Sequence, residues 1–476
     1  YLQRCGAEVE EGVFSHPACH NTEAVIYGTS EKIDVTGGWH DAGDYGRYVV
    51  PGAKAVADLL FAYEAAPELY SDNIGIPESG NGIPDILDEV RYELEWMLKM
   101  QSESGGVYHK VTCQNFPGYI MPQFETNQLI VTPISTTATA DFCASMAMAY
   151  EFYYDIDRAF AETCINAAEK AWVYLNENPN LIFEDPSDIT TGDYGDSSDK
   201  DERYWAAAQL YRATGNDVYL EYIMQNGVKT GQDWTTVGNY GSFAILTMKD
   251  IDKNSEIYTR VKNSVISQAD LFLKTTTSTP YGVAITKFNW GSNMTVANAG
   301  VLLGVAYDLT NDSKNLNYLL GKNPNGVCFV TGYGTVSPQN PHHRPSMVAG
   351  QAMKGMLVGG VNSAKEDSAA KAYLSNSPAA KCYIDHSESY STNEITIYWN
   401  SPLTYLLSLT ETEKTEIKGD INSDGERNTA DLVLLQNYIL GKSDLTEKQT
   451  EIADINKDGF INCFDIIILK RMLLNQ

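Results

Sequence analysis

No run of this chain is long and apolar enough to cross a membrane as a helix, and no signal peptide opens it. Its first residues, Tyr1-Leu2-Gln3-Arg4-Cys5, read like the middle of a helix, so removal of upstream sequence is expected. Basic residues are scarce: 34 Lys and Arg stand against 62 Asp and Glu, a net charge of −28. No basic face could neutralise a phosphate backbone, which excludes nucleic acid as a partner. Cysteine is thin as well. Eight in 476 residues do not make a disulfide framework. No Pro/Ser/Thr-rich linker interrupts residues 1–410, and strand signals there are few and short. What these absences leave is a soluble, secreted, acidic protein, expected to be monomeric, whose first 410 residues can bury one large core.

That core is helical. Apolar residues recur at three- and four-residue spacing over Ala53–Ala65, Pro84–Met100, Ala138–Tyr154, Arg158–Asn176, Glu202–Thr214, Ile257–Leu273, Thr295–Leu309 and Pro402–Leu409. Long loops rich in Gly, Asn, Asp and Tyr separate them. The functional-looking residues fall in those loops, which favours a helical toroid over a bundle.

The last sixty residues repeat a calcium loop at a spacing of 34 residues. One copy carries Asp420, Asn422, Asp424, Asn428 and Asp431; the other carries Asp454, Asn456, Asp458, Asn462 and Asp465. Oxygen side chains thus occupy loop positions 1, 3, 5, 9 and 12, with Gly425 and Gly459 at the turn in position 6, as a loop wrapped around Ca²⁺ requires. Each loop runs into an apolar helical pattern. The duplicated unit resembles a type I dockerin, which implies two bound Ca²⁺ and a cohesin on a scaffold protein as partner. Arg427, at loop position 8, replaces the β-branched residue usual there. The pairs at positions 10 and 11 differ, Thr429-Ala430 against Cys463-Phe464, so one face is expected to dominate, the second. The expected organisation is a body at 1–410, a short linker at 411–418 and the dockerin at 419–476.

Three loops of the body could do chemistry. In Trp39-His40-Asp41-Ala42-Gly43-Asp44, two carboxylates three apart, with small residues between, can face one cleft, though an Asp N-cap with a turn glycine reads the same way. Asn340-Pro341-His342-His343-Arg344-Pro345 offers imidazoles and a guanidinium. Asp385 to Glu394, with Trp399 beyond, offers further carboxylates. Together with Gly82–Glu89, Ser135–Asp141, Trp290–Asn293 and Tyr318–Pro324, these segments resemble glycoside hydrolase family 9 over residues 1–410. The resemblance is strongest to the branch whose catalytic module follows an immunoglobulin-like module. It implies an all-α (α/α)6 barrel that hydrolyses β-1,4-glucan with inversion. Inversion needs an acid on one face and a base with its water on the other, roughly 6.5–9.5 Å apart. Matched to the family, Asp44 is the base, Asp41 helps hold its water, Glu394 is the acid and Asp385 orients the site. His342 and Arg344 match a substrate-contacting pair. Trp399 could stack on a glucose ring, with Trp290, Trp234, Tyr194 and Trp39 as weaker platforms.

Metal ligands are also on offer in the body. Cys5, Cys19, His20 and His40 suit tetrahedral Zn²⁺, with a Cys5–Cys19 disulfide as the alternative. The resemblance implies structural zinc on these residues. Ser197, Ser198, Asp201 and Glu202 open a helix where the family places a calcium loop, and acidic helix capping reads the same residues equally well. The expected function is a secreted, cellulosome-associated endo-β-1,4-glucanase acting on cellulose and cello-oligosaccharides. The alternatives are a cellobiohydrolase of the same family, or a silent glucan-binding scaffold component.

Overall fold

The computed structural model describes residues 1–307, 313–411, 418–422 and 427–474. Contacts divide the chain into two units, Tyr1–Thr410 and Glu411–Gln476. In the first, the strands are short: β1 (Ala24–Ile26), β2 (Lys32–Ile33), β3 (Arg47–Tyr48), β4 (Val107–Tyr108), β5 (Lys110–Thr112), β6 (Ile130–Val131) and β7 (Ile134–Ser135). Five form one sheet in the order β2-β1-β6-β5-β3, and β4 pairs with β7. The helices carry the fold. They are α1 (Val49–Ala65), α2 (Asp85–Lys99), α3 (Thr136–Tyr153), α4 (Arg158–Glu177), α5 (Lys200–Thr214), α6 (Asp217–Asn226), α7 (Gly238–Thr247), α8 (Glu256–Ser278), α9 (Ser292–Tyr307), α10 (Ser313–Leu319), α11 (Arg344–Ala349), α12 (Ser368–Tyr373), α13 (Tyr390–Asn393) and α14 (Ile397–Glu411).

Alternation between two helix types makes the (α/α)6 barrel. Helices α1, α3, α5, α7 and α9 are buried along most of their length, as inner helices must be, and all but α5, which opens on four charged residues, are apolar or small on nearly every side. Helices α2, α4, α6 and α8 each keep an exposed polar face and pack outside them. The ring closes through α14. Tyr405 stacks on Phe61 of α1 at 6.1 Å, and Gly300 of α9 lies so close to Leu406 that a side chain there would stand 2.9 Å away. Aromatic rings fill the middle, Phe61 meeting Tyr240 and Phe243 across the axis. The expected helices all form. Sequence periodicity passed over α6 and α7, and the last two residues of the expected Thr295–Leu309 helix lie outside the described residues.

The second unit has its own core of Ile421, Leu435, Ala453, Ile455 and Leu469. Each loop leads into its expected helix, α15 (Thr429–Ile439) and α17 (Cys463–Leu474), and a short α16 (Glu447–Ala453) stands between them.

One charged group sits inside the ring. Lys54 of α1 donates to Asp58 one turn on at 2.8 Å, with both side chains fully buried. Asp58 also accepts from Tyr240 of α7 at 2.7 Å and Ser401 of α14 at 2.7 Å, and Lys54 reaches the Tyr398 carbonyl at 3.3 Å. Three inner helices are thereby registered. Removing one partner of a buried pair leaves an uncompensated charge, which costs roughly 3–5 kcal/mol. Lys54→Met is therefore expected to lower the thermal midpoint of the body markedly; a midpoint equal to wild type by calorimetry would show the pair is dispensable.

Candidate active site and metal centres

One cavity of about 610 Å³ opens where chain segments enter the inner helices. The loop holding Asp41 and Asp44 precedes α1, that holding Tyr194 precedes α5, and Asp233 and Trp234 precede α7. Trp290 precedes α9, and Glu394 precedes α14. The cavity is thus ringed by helix N-termini, whose free N–H groups and positive dipole ends favour negative charge.

The loops lock together by main-chain bonds. Asp41 N–H donates to the Gly46 carbonyl at 2.9 Å, and Gly46 N–H donates to Asp44 Oδ2 at 3.0 Å. Ile397 N–H reaches the Asp41 carbonyl at 2.8 Å, tying this loop to α14. The Gly43 carbonyl takes both the backbone N–H of Arg344 at 3.1 Å and its guanidinium Nη1 at 2.7 Å. His342 N–H donates to the Asn393 carbonyl at 2.8 Å, next to Glu394. Gly43 has no room for a side chain, because a Cβ would lie 2.3 Å from the His342 carbonyl oxygen.

Asp41, Asp44 and Glu394 all line the cavity. Burial is the main force raising each carboxyl above the ordinary carboxylate range. Glu394 is pushed well above it, by burial and then by the charges of Asp44 and Asp41. Asp41 is also held well above, by burial and by Asp44, although the Tyr194 hydroxyl donates to its Oδ2 at 2.5 Å. Its Oδ1 is buried with no partner among the described residues. For Asp44, burial is opposed by the Arg344 charge and by the Gly46 N–H, so the rise is smaller.

The other expected site residues divide. His342 donates from Nδ1 to the Ser387 carbonyl at 2.5 Å, which leaves Nε2 with its lone pair on the other side of the ring. Arg344 borders the cavity, yet three of its N–H groups serve main-chain carbonyls: Nη1 bonds Gly43, while Nε and Nη2 bond Pro117 at 3.1 and 3.0 Å. It therefore holds loops together as well as facing the site. Asp385 is set back from the cavity. It accepts from the Gln339 and Asn340 N–H groups at 2.8 Å each and from Asn393 Nδ2 at 3.0 Å, clipping the His342 loop to the residue before Glu394. Tyr194, expected as a sugar platform, spends its hydroxyl on Asp41 and packs edge-on against Trp234 at 5.0 Å. Trp399 borders the cavity but is only 3% exposed, wedged against Gly291 and Gly359. Trp39 is no platform at all: it is buried, with Nε1 on Glu89 at 2.7 Å. Trp290 is 43% exposed, which fits it for contact with a ligand. Phe116, Tyr390 and Asp233 also line the cavity. Tyr390 lies within the Asp385–Glu394 segment and Asp233 beside Trp234, but sequence reasoning assigned none of the three a role.

Cys5, Cys19, His20 and His40 converge, with ligand atoms all within 4.8 Å of one another and buried. Both cysteines are free thiols, so the disulfide alternative is not realised. The donor set fits a tetrahedral soft-to-borderline cation. His20 Nε2–H is tied to Glu125 Oε2 at 3.0 Å, and its Nδ1 is left buried with no partner. A carboxylate behind the far nitrogen is the arrangement that orients a metal-bound imidazole. His40 Nε2 stands 3.7 Å from the Cys19 sulfur, and burial lowers its pKa, leaving it neutral as a ligand must be.

The expected body calcium loop gathers different residues. Ser197 is exposed, and the Ser198 hydroxyl accepts from Lys200 N–H at 3.4 Å, so neither leads the cluster. Asp201 and Glu202 instead meet Asp196 and, from α3, Asp141. Both carboxylate oxygens of Asp141, both of Glu202 and Oδ2 of Asp196 are buried without a partner. Burial and mutual repulsion push Asp141 and Glu202 well above the carboxylate range. Buried, unpaired acids in such number call for a hard cation.

In the second unit, Asp431 accepts from Asn422 and Asn428 N–H groups at 3.0 and 2.8 Å. Asp465 likewise accepts from Ile455 at 3.0 Å and Asn462 at 2.9 Å, and Asp454 accepts from Asp458 and Gly459 at 3.1 and 2.8 Å. Among the described residues, the last carboxylate of each loop and Asp454 are thus bonded to loop N–H groups. Asp424 lies outside the described residues.

Residues 1–407 match the model of glycosyl hydrolase family 9, and residues 418–474 match that of the dockerin type I domain. Endoglucanase D of Acetivibrio thermocellus is 37% identical over 470 residues, spanning 92% of this chain and 73% of that protein. A cellodextrinase of Butyrivibrio fibrisolvens is 36% identical over 447 residues, covering 86% and 81%. A thermostable endoglucanase from Alicyclobacillus acidocaldarius superposes with a TM-score of 0.81 at 36% identity, covering 86% of this chain and 81% of that one.

The packing at Gly43 gives a test that needs no assumption about roles. A methyl there must displace the His342 carbonyl or the Asp44 loop, and misplacement of about 1 Å can cost on the order of 10²-fold in rate. Gly43→Ala is expected to lower kcat by about that factor with little change in thermal midpoint. Wild-type kcat in this variant would show that the loop junction is not tight.

Proposed function

The chain belongs to glycosyl hydrolase family 9 and carries a type I dockerin, and on that premise we propose that it is a secreted, scaffold-anchored endo-β-1,4-glucanase that inverts the anomeric centre. One observation carries the reading: three carboxyl groups share one cavity, and while burial raises all of them, Arg344 and the Gly46 N–H oppose the rise at Asp44 and the two aspartates add to it at Glu394. Glu394, crowded by burial and two aspartates, keeps its proton near neutrality and serves as general acid to the leaving oxygen. Asp44, steadied by Arg344 and the Gly46 N–H, is the carboxylate that activates water. Asp41, with Tyr194 on one oxygen, offers the other to the same water. His342 Nε2, the remaining Arg344 hydrogens and Trp290 meet the glucan chain; Trp234 and Trp399 complete the walls.

Cys5, Cys19, His20 and His40 hold structural Zn²⁺ in this reading. The metal fixes the backbone of the Asp41 loop from behind and takes no part in turnover. Asp141, Asp196, Asp201 and Glu202 hold a body Ca²⁺, and the two dockerin loops hold one Ca²⁺ each. Cellulose and cello-oligosaccharides are the substrates, and a cohesin is the partner that places the enzyme, otherwise monomeric, on its extracellular scaffold. Cys463 and Phe464, the latter 62% exposed, supply the stronger of two cohesin-binding faces.

Glu394→Gln is expected to lower kcat on unactivated cello-oligosaccharides by roughly 10²–10⁴-fold, with a smaller loss on aryl cellobiosides whose leaving groups need less protonation. Proton NMR should show α-anomer first; initial β-anomer would overturn inversion. Activity requires Glu394 protonated and Asp44 ionised. Because both pKa values are raised, the acidic limb follows Asp44 and the alkaline limb follows Glu394. The whole bell is expected above the ordinary carboxylate range of about 4. Loss of activity from pH 4 upward would contradict this assignment.

Metal removal separates the two units. Under a strong chelator the thermal midpoint of the body should fall while hydrolysis of soluble glucan persists at lower temperature, and cohesin binding should vanish. Metal analysis that finds no zinc in protein prepared without chelator would remove the zinc assignment.

A further inference from the structure

Beside the acid, one buried carboxylate grips both neighbours of an exposed tyrosine. Asp367, at the N-cap of α12, is 1% exposed. Its Oδ1 accepts from Ala370 N–H at 2.6 Å. Its Oδ2 accepts from the Ser389 hydroxyl at 2.9 Å, the Ser391 N–H at 3.0 Å and the Ser391 hydroxyl at 2.5 Å. Although burial pushes the Asp367 carboxyl up, these donors outweigh it and hold the group below the carboxylate range, so it stays ionised. Between the two serines stands Tyr390, first residue of α13, 38% exposed and on the cavity wall.

The ring of Tyr390 lies between two other wall residues. It meets His342 edge-on at 6.0 Å and Trp290 at a tilt of 41° and 5.3 Å. Its hydroxyl makes no hydrogen bond among the described residues. Burial and the charges of Asp367, Glu366 and Glu394 raise its pKa, so it remains a donor at every working pH. A flat apolar face ending in an unspent hydroxyl matches a glucosyl ring, which offers axial C–H groups to an aromatic face and hydroxyls at its rim. Four donors on one carboxylate are far more than a short turn needs to close, and they immobilise Tyr390 before any ligand arrives.

We propose that Tyr390 is a sugar-contacting residue of this site and that Asp367, acting through Ser389 and Ser391, is the positioning residue that presets it. This rests on the glucanase reading above. The test is steady-state kinetics on cellopentaose, with thermal midpoints measured in parallel. Tyr390→Ala should raise KM roughly tenfold, the worth of one good aromatic contact, with a much smaller change in kcat and an unchanged midpoint. Tyr390→Phe isolates the hydroxyl and should fall between wild type and Tyr390→Ala. Asp367→Asn should raise KM similarly, and combined with Tyr390→Ala it should add less than about twofold, because both changes remove the same contact. If Asp367→Asn does not fold, the Ser389→Ala/Ser391→Ala pair takes its place. An unchanged KM in Tyr390→Ala, or fully multiplicative KM effects in the combined variant, overturns the proposal while leaving the glucanase reading intact. Wild-type protein that cleaves no β-1,4-glucan overturns both.

Discussion

Arg344 is the buried cation that allows three carboxyl groups to share one cavity. Through its main chain and Nη1 it binds the carbonyl of Gly43, between Asp41 and Asp44, and through Nε and Nη2 it binds Pro117. Its charge draws down the pKa of both Asp44 and Glu394 against the upward push of burial. A hydrogen bond to a charged group contributes roughly 1.5–3 kcal/mol, so the junction is firm, and it is shared by the His342 loop, the catalytic loop and the Phe116 segment. The residue that tempers the electrostatics is also the one that ties the Gly43 and Pro117 carbonyls together. Without it, burial would raise Asp44 and Glu394 further still.

The same problem, negative charge taken out of water, is solved in two ways elsewhere in the body. Asp58 and Asp367 are settled by protein alone: a lysine and two hydroxyls in one case, four donors in the other. Asp141 and Glu202 are not settled; all four of their carboxylate oxygens are buried and unpartnered. The contrast separates residues settled by protein donors from residues left without one among the described residues. His20 belongs with the second group, one nitrogen anchored on Glu125 and the other facing the thiols. A metal bound by such a set would contribute to folding, and through His40 it would stiffen the Asp41 loop.

Much of this was legible in the chain. Long periodic helices were readable, because burying one helix face leaves a three- and four-residue trace. The second unit was readable from its repeated oxygen-rich loop, and the (α/α)6 barrel came only with the family resemblance. The helix at Gly238–Thr247 left none: Gly-Asn-Tyr-Gly reads as a loop, yet Gly241 is needed because a side chain there would meet Tyr204 at 2.8 Å. The carboxylates sit in dense motifs and could be found. Cys5, Cys19, His20 and His40 are spread over 36 residues, and only the family resemblance favoured a metal over a disulfide. Aromatic roles could not, since burial decides them; Trp39 and Trp399 look like Trp290 in sequence and differ only in what packs around them. Asp141 ended a segment that supported the family resemblance, but its meeting with Glu202 is made by the packing of α3 on α5, far apart in sequence. Tyr390 lay within the Asp385–Glu394 segment without a role, and Asp367 lacked any motif, because their relation is a set of hydrogen bonds to two ordinary serines.

The division of labour among the carboxyls follows from small differences in what touches each. Asp44 has an N–H donor two residues on and a guanidinium nearby, both of which favour its ionised form. Asp41, three residues earlier, has one phenol and the repulsion of Asp44. Glu394, on the segment that leads into α14 beside α1, has both aspartates as neighbours. Asp44 is thus the carboxyl least raised, with Asp41 and Glu394 pushed further above the ordinary range. The order is not written in the residue types, two of which are identical. It comes from the short loop Asp41–Gly46, whose glycine at 43 leaves room for the His342 carbonyl and lets the start of α11 close in, and the histidine that precedes the loop is tied by its N–H to the Gln3 carbonyl at 2.7 Å.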